Sequence, residues 1–363
     1  MMNADAALDG DLGPKLLTYV QAHIDGAATY VQAPSRFTSG VETRVYAFRL
    51  GGLRGAFSSP LVLRLFGGHV TGERARVEAT VQTAVADMGF PAARVVHVCE
   101  AAAPLGGPFI IMERLPGSVM LAPLTRPGTN ILDLIRLVPS LLLRMPPVIA
   151  DLQAQLHSLD ANVLKHALEA AALDSSILSL DSHLERMSER IHRAHLGGFV
   201  DGFQWLRIHR PAEPSCLAIC HGDLWFGNVI QRRLRIAGVV DWSMDAMLIG
   251  DPAYDVGVTS VGLAVGGADV PFPLRPIARG VQILLSRLFL RAYLRRARVD
   301  VSAVRYYQSL RCVDFLSWVA ERRVLPSLRT HGERDMLDIK GATEGFTSFF
   351  RDRTGITLAM PRA

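Results

Sequence analysis

The tripeptide Leu115-Pro116-Gly117 divides this sequence into two stretches with different hydrophobic periods, and that division limits the possible folds most strongly. Before it, Arg44–Leu50 alternates and is rich in β-formers, Gly51–Gly55 reads as a turn, and Leu61–Phe66 as a second strand, so the pair predicts a hairpin. Glu73–Met88 has helical spacing, with Val77, Val81 and Val85 on one face, and Gly89–Pro91 stops it. Arg94–Cys99 and Phe109–Glu113 predict two further strands. After the tripeptide, helical periods run through Ile131–Leu159, Val163–Leu196, Leu274–Arg295 and Ser302–Arg323, interrupted by one β-rich island, Leu217–Asp241. The order predicts an α+β, bilobal architecture. A small β-rich lobe spans residues 1–115, with a helical extension over 1–35, and a larger, mainly helical lobe spans 116–363.

At 363 residues and 49% hydrophobic, the chain has material for two such lobes. The net charge of +5 suits an anionic ligand such as a nucleotide. The basic residues are scattered, and almost all are arginine (the only lysines are Lys15, Lys165 and Lys340), with no basic-aromatic pattern of a nucleic-acid module. Cys216 and Cys220 sit at half of a zinc-site spacing with no second half, so the four cysteines read as buried free thiols of a reducing compartment. The N-terminus carries Asp5, Asp9 and Asp11 instead of a basic-then-apolar signal. The apolar run Ile131–Ala150 is broken by Asp133, Arg136, Arg144 and three prolines, which predicts a buried helical region and not a bilayer span. These features predict a cytoplasmic chain, monomer or homodimer, with neither nucleic acid nor membrane as partner.

The island carries the chemistry. It reads His221-Gly222-Asp223-Leu224-Trp225-Phe226-Gly227-Asn228, then, after an arginine-rich turn, Val239-Val240-Asp241-Trp242. Asp223 follows one strand, Asn228 begins the next and Asp241 ends the one after, so three strand ends gather two carboxylates and an amide oxygen. That is a ligand set for hard, oxygen-seeking Mg²⁺. Phosphoryl transfer needs an oriented hydroxyl and cations on the phosphates, and little covalent chemistry from the protein. Asp223 is the candidate base, and Asn228 and Asp241 are the candidate metal ligands.

These runs, together with Gly250-Asp251-Pro252-Ala253-Tyr254-Asp255, resemble the aminoglycoside phosphotransferase/choline kinase family of protein-kinase-like enzymes. The resemblance implies ATP, Mg²⁺ and transfer of the γ-phosphate to a small-molecule hydroxyl. It gives His221 the support of the catalytic loop, and Asp251 and Asp255 the bracing of that loop and the capping of the next helix. Thr38–Thr43, with its single glycine Gly40, stands where the family keeps its nucleotide-covering loop. Arg64, a charge inside an apolar strand, needs a partner, and Glu78 on the following helix is the expected one. The pair corresponds to the kinase cation and glutamate at the α- and β-phosphates, with Arg in place of the usual Lys. Phe109–Gly117 resembles the interlobe strand, which places Met112, Glu113 and Leu115 at the adenine. His157, on the helix after the joint, reads as a packing or capping residue.

The acceptor is not legible. Asp245, Asp314, Glu321, Glu333, Asp335 and Asp338 are the carboxylates available to a polycationic acceptor, but arginines, Arg311 and Arg322 among them, are interleaved with them. Phe315 and Trp318 offer an aromatic cage or simply a core. A nucleotide-binding pseudokinase is the alternative to an active small-molecule kinase. A protein kinase fits less well, because Trp242-Ser243 follows the metal aspartate and no Ala-Pro-Glu segment ending is present.

Overall fold

The computed structural model describes residues 2–37, 43–67, 70–122, 131–242, 246–266, 275–328 and 341–361. Their contacts separate them into two compact units, the first ending at Pro116 and the second beginning at Gly117.

The first unit runs α1 (Met2–His23), β1 (Thr29–Arg36), β2 (Arg44–Gly51), β3 (Leu61–Leu65), α2 (Gly72–Asp87), β4 (Val95–Cys99) and β5 (Phe109–Glu113). The strands make one antiparallel sheet in the order β1-β2-β3-β5-β4. The expected hairpin is β2–β3, with Arg44 opposite Leu65 and Phe48 opposite Leu61. Alternation then sorts the side chains. Leu61, Leu63, Leu65, Phe109 and Ile111 join Leu12, Leu16 and Val20 of α1 on one face, while Ile110 and Met112 join Ala75 and Ala79 of α2 on the other. A helix therefore covers each face. The extension expected to be helical over 1–35 is corrected here: the helix ends at His23, and Thr29–Arg36 is an edge strand. It is exposed or half-buried along its length and contains Pro34, so it has no apolar stripe to announce it.

The second unit runs β6 (Ser118–Val119), α3 (Ile131–His157), α4 (Ala161–Ala170), α5 (Leu180–Arg193), α6 (Val200–Ile208), β7 (Ala218–Ile219), β8 (Val229–Arg232), β9 (Arg235–Val239), β10 (Ile249–Gly250), α7 (Pro252–Val265), α8 (Arg275–Leu294), α9 (Val301–Val324) and α10 (Ala342–Thr354). The helix expected over Val163–Leu196 is two, α4 and α5, because Asp174 and Ser179 offer side-chain oxygens to Ser176 and Ser182 amides and restart the chain. α7 is buried almost all round, with Asp251 as its N-cap and Pro252 in its first turn. It is the post on which the loops of this unit are hung. Among the described residues no helix is long and apolar enough to cross a membrane. All four cysteines are free, and Cys216 is exposed where a buried thiol was expected.

Candidate active site

The β-island folds into two small sheets, β10-β7 and β6-β8-β9. β8 and β9 close through Arg233 and Leu234, both at positive φ (47° and 69°), the backbone twist of a tight hairpin turn. The Val240 amide donates to the Asn228 carbonyl at 3.0 Å, which puts Asp241 one residue past the partner of Asn228. Asp241 is exposed and sits at φ 73°, a left-handed conformation that costs a non-glycine residue on the order of 1 kcal/mol or more. The kink ends the strand and turns the chain at the carboxylate.

His221–Asn228 is held from beneath by α7. The Asp255 carboxylate accepts the His221 amide at 2.8 Å, the Gly222 amide at 2.6 Å and His157 Nε2 at 3.1 Å. Burial raises the Asp255 carboxyl, but His157 and the two amides outweigh it and bring it below the ordinary range. His157 is itself fixed by the Tyr293 hydroxyl at 2.7 Å. Thr259, one turn along α7, donates to the Leu224 carbonyl at 2.9 Å, so the same helix grips the loop twice. Gly222 has φ 78°, and a Cβ there would lie 2.1 Å from that of Ala246, which excludes any side chain. His221 closes the loop by packing its ring 4.6 Å from the buried Trp242 and bonding the Val240 carbonyl.

Cys220, His157 and Asp255 bring ligand-type atoms within 4.8 Å of one another. Both Asp255 oxygens are already committed to the His221 and Gly222 amides and to His157, and His157 Nδ1 is taken by the Tyr293 hydroxyl. This cluster is a brace.

Asp223, on the loop so held, leaves 46% of its side chain open to solvent. Its Oδ1 accepts Arg311 Nη2 at 2.9 Å, and its Oδ2 accepts Asn228 Nδ2 at 3.3 Å. Surrounding protein raises its carboxyl, Arg311 lowers it and Asp241 raises it again, for a net shift upward. Asn228 Nδ2 also donates to the Asp223 carbonyl at 2.9 Å, so its amide is oriented with Oδ1 left as the acceptor. An exposed carboxylate and an oriented amide oxygen at adjacent strand ends are a fitting pair for a hard cation.

In the first unit, Arg64 Nη2 lies 3.5 Å from Glu78 Oε2, and Arg74 Nε lies 3.4 Å from Glu78 Oε1. The glutamate thus carries the two arginines, and the Arg64 guanidinium also lies 5.4 Å from the Phe66 ring centre. Met112 packs into the core beneath α2, with Gln82 at its sulfur, and Leu115 borders the same cluster. The Glu113 amide is spent on the Arg94 carbonyl at 2.9 Å. Gly40 lies outside the described residues.

Two of the candidate acceptor carboxylates are taken up by arginines. Asp314 is paired with Arg190 at 2.7 Å, and Glu321, 3% exposed, with Arg193 at 2.6 Å. Arg322 lies 4.0 Å over the Trp318 ring and takes the place a quaternary amine would need. Asp245, Glu333, Asp335 and Asp338 lie outside the described residues. The Arg311–Asp223 contact has no sequence signal, since 88 positions separate the partners and no motif contains Arg311.

Residues 34–298 match the model of the phosphotransferase enzyme family. Over 188 residues the chain is 27% identical to mouse acyl-CoA dehydrogenase family member 10, covering 49% of this chain and 16% of that protein. Over 186 residues it is 23% identical to mouse acyl-CoA dehydrogenase family member 11, covering 51% and 22%. The chain thus corresponds to less than a quarter of either relative. Among solved structures, a Ralstonia eutropha JMP134 protein assigned as an aminoglycoside phosphotransferase superposes with a TM-score of 0.58 at 19% identity, over 94% of this chain and 98% of that one. A thermostable mutant of the aminoglycoside phosphotransferase APH(4)-Ia, in ternary complex with ADP and hygromycin B, gives 0.55 at 17% identity, over 95% and 99%. These likenesses identify the fold as the kinase-like fold of those enzymes. With the family model covering most of its length, the chain belongs to the phosphotransferase enzyme family.

Proposed function

We propose that this phosphotransferase moves the γ-phosphate of ATP, with Mg²⁺, to a hydroxyl of a small molecule in the cytoplasm. The observation that carries the reading is Asp223, a half-exposed carboxylate with both oxygens oriented, on a loop braced by Asp255 and beside Asn228 and Asp241. Asp223 takes the acceptor's hydroxyl proton, the freed oxygen attacks the γ-phosphorus, and the bond to the β-phosphate oxygen breaks to release ADP. Asn228 and Asp241 would hold the magnesium, whose chemistry is to neutralise phosphate charge. His221 keeps the loop closed. In the first unit, Arg64, oriented by Glu78, reaches the α- and β-phosphates as a planar fork where kinases use a lysine. The adenine meets the backbone at Leu115 and the carbonyl side of Glu113, whose amide is already bonded to Arg94, with Met112 behind, and the segment containing Gly40 covers the phosphates.

Among the described residues Asp314 and Glu321 are spent on arginines and offer no carboxylate to a polycationic acceptor. The second reading, a pseudokinase that binds nucleotide without transfer, is favoured by one observation, the Arg311 guanidinium on the candidate base. Thermal unfolding with ATP in the presence and absence of Mg²⁺ tests the nucleotide site; a Tm that ATP and Mg²⁺ leave unmoved would sink both readings. ADP release across a panel of aminoglycosides, macrolides, amino alcohols and sugars then separates them. A kinase releases ADP with at least one hydroxyl compound and a pseudokinase with none.

A further inference from the structure

We propose that Arg311 of α9 is a positioning residue for phosphoryl transfer, pinning one oxygen of Asp223 so that the carboxylate keeps the orientation a base requires. The inference rests on the reading of Asp223 as that base.

A carboxylate on a solvent-facing loop turns freely about its side-chain bonds, and a base must be held to within about 0.5 Å and 10–20° of its working position. Asp223 is held at both oxygens, by Arg311 Nη2 on Oδ1 (2.9 Å) and Asn228 Nδ2 on Oδ2 (3.3 Å). Asn228 comes from the same loop and moves with it. Arg311 comes from α9, a 24-residue helix packed against α7, and ties the carboxylate to the body of the unit.

The guanidinium is not loose either. Its Nη1 lies 3.6 Å from Asp314 Oδ2, and Asp314 Oδ1 accepts Arg190 Nη1 at 2.7 Å. Arg190 also donates to the Asp314 carbonyl and to Ser317, and Glu321 beyond it is bonded by Arg193, whose side chain is 59% exposed. Charges alternate from Asp223 through Arg311, Asp314, Arg190 and Glu321 to Arg193 at the solvent. Arg311 and Arg190 thereby each stand between two carboxylates, and Asp314 and Glu321 each between two arginines. A planar fork loses less freedom per bond than a lysine ammonium, and it suits a group that must face two carboxylates at once.

Two simpler roles fit less well. A purely structural pair would be enclosed with Asp314, yet the guanidinium comes closest, at 2.9 Å against 3.6 Å, to a carboxylate that is 46% exposed. A silencing contact would have to block the base, but a carboxylate has about four lone-pair sites and Arg311 engages one oxygen only.

The test uses the full chain with Mg·ATP and water as acceptor, measuring ADP release. Arg311→Ala is expected to lower kcat about 10- to 100-fold, the range for a misplaced catalytic group, with KM for ATP within about twofold of the parent. Arg311→Lys should recover part of the loss. Methylguanidinium added to Arg311→Ala should restore turnover partially and leave the parent protein unchanged, a response that a lost structural contact does not give. An Arg311→Ala kcat equal to or above that of the parent, while Asp223→Asn abolishes turnover, overturns the positioning role and keeps Asp223 as base. Turnover retained in Asp223→Asn, or absent from the parent with water and with the whole hydroxyl panel, overturns the base reading itself and the role of Arg311 with it. Should Arg311→Ala fail to fold, Arg311→Lys decides: an intermediate kcat at unchanged KM supports the role, and parental kcat overturns it.

Discussion

The two units hold their key charges in opposite ways. In the first, Glu78 is 2% exposed at its side chain and Arg64 9%, with the pair enclosed between sheet and helix. In the second, Asp223 stands half in water and is steadied by a chain of ion pairs that runs back through the fold to the surface. Enclosure makes a charge expensive to leave alone, because water cannot replace the lost partner. Exposure makes a charge cheap to lose energetically, so whatever Asp223 contributes must appear in function. The contrast separates stability from activity and can be broken from either side.

The largest effect belongs to the exposed site. Asp223→Asn keeps the shape and removes the base, and turnover is expected to fall about 10²- to 10⁴-fold, the usual contribution of a general base. The same change should shift unfolding free energy by under about 1 kcal/mol, as for an exposed ion pair. A variant that melts far below the parent, with turnover lost only in proportion, would show that the loop needs Asp223 to fold. The enclosed site should behave conversely. Glu78→Ala leaves Arg64 in an apolar strand and is expected to cost about 3–5 kcal/mol in urea unfolding. A cost below about 1 kcal/mol would mean that water or Phe66 shelters the guanidinium well enough alone, and the comparison would lose its footing.

The same contrast explains what the sequence made legible. Arg64 and Glu78 could be paired by reading because they lie on consecutive elements, and a charge inside Leu61–Phe66 demands a partner. β2 showed in its alternation, and β3 and β5 as short, nearly continuous apolar runs, since both of their faces are packed. β1 did not show, because an edge strand held by backbone pairing to β2 needs no apolar stripe. The split of Val163–Leu196 was hidden because the apolar period continues across it, while the caps that break it, Asp174 and Ser179, are single polar residues. In the candidate site, His221 to Asp255 was readable because its parts sit within one stretch of chain. Arg311 was not, since a contact across 88 residues is fixed by how α9 packs against α7 and leaves no local trace. The groups that steady the site come from the part of the chain with the weakest motif.

The pH dependence of that network gives the smallest effect and the finest test. Burial pushes the Asp314 carboxyl up, but Arg190, His183 and Arg311 outweigh it and hold it down to about 2, against 3.8 for the free group. Because the folded value lies below the unfolded one, Asp314 adds stability that is fully present above about pH 4. That stability is lost as pH falls from there through about 2. Just under two units at 1.36 kcal/mol per unit gives about 2 kcal/mol. Urea unfolding of the parent and Asp314→Asn should therefore differ by about that amount at pH 7 and pH 5. The gap should narrow near pH 3 and nearly close at pH 2, where the parent's carboxyl is itself protonating. A gap that stays constant across the range would mean that the arginines do not depress Asp314, and that the ion-pair chain behind Asp223 is weaker than its distances imply. A gap that closes only below pH 3 would show the network intact in solution, with Arg311 backed by a charged Asp314 at every pH at which the protein works.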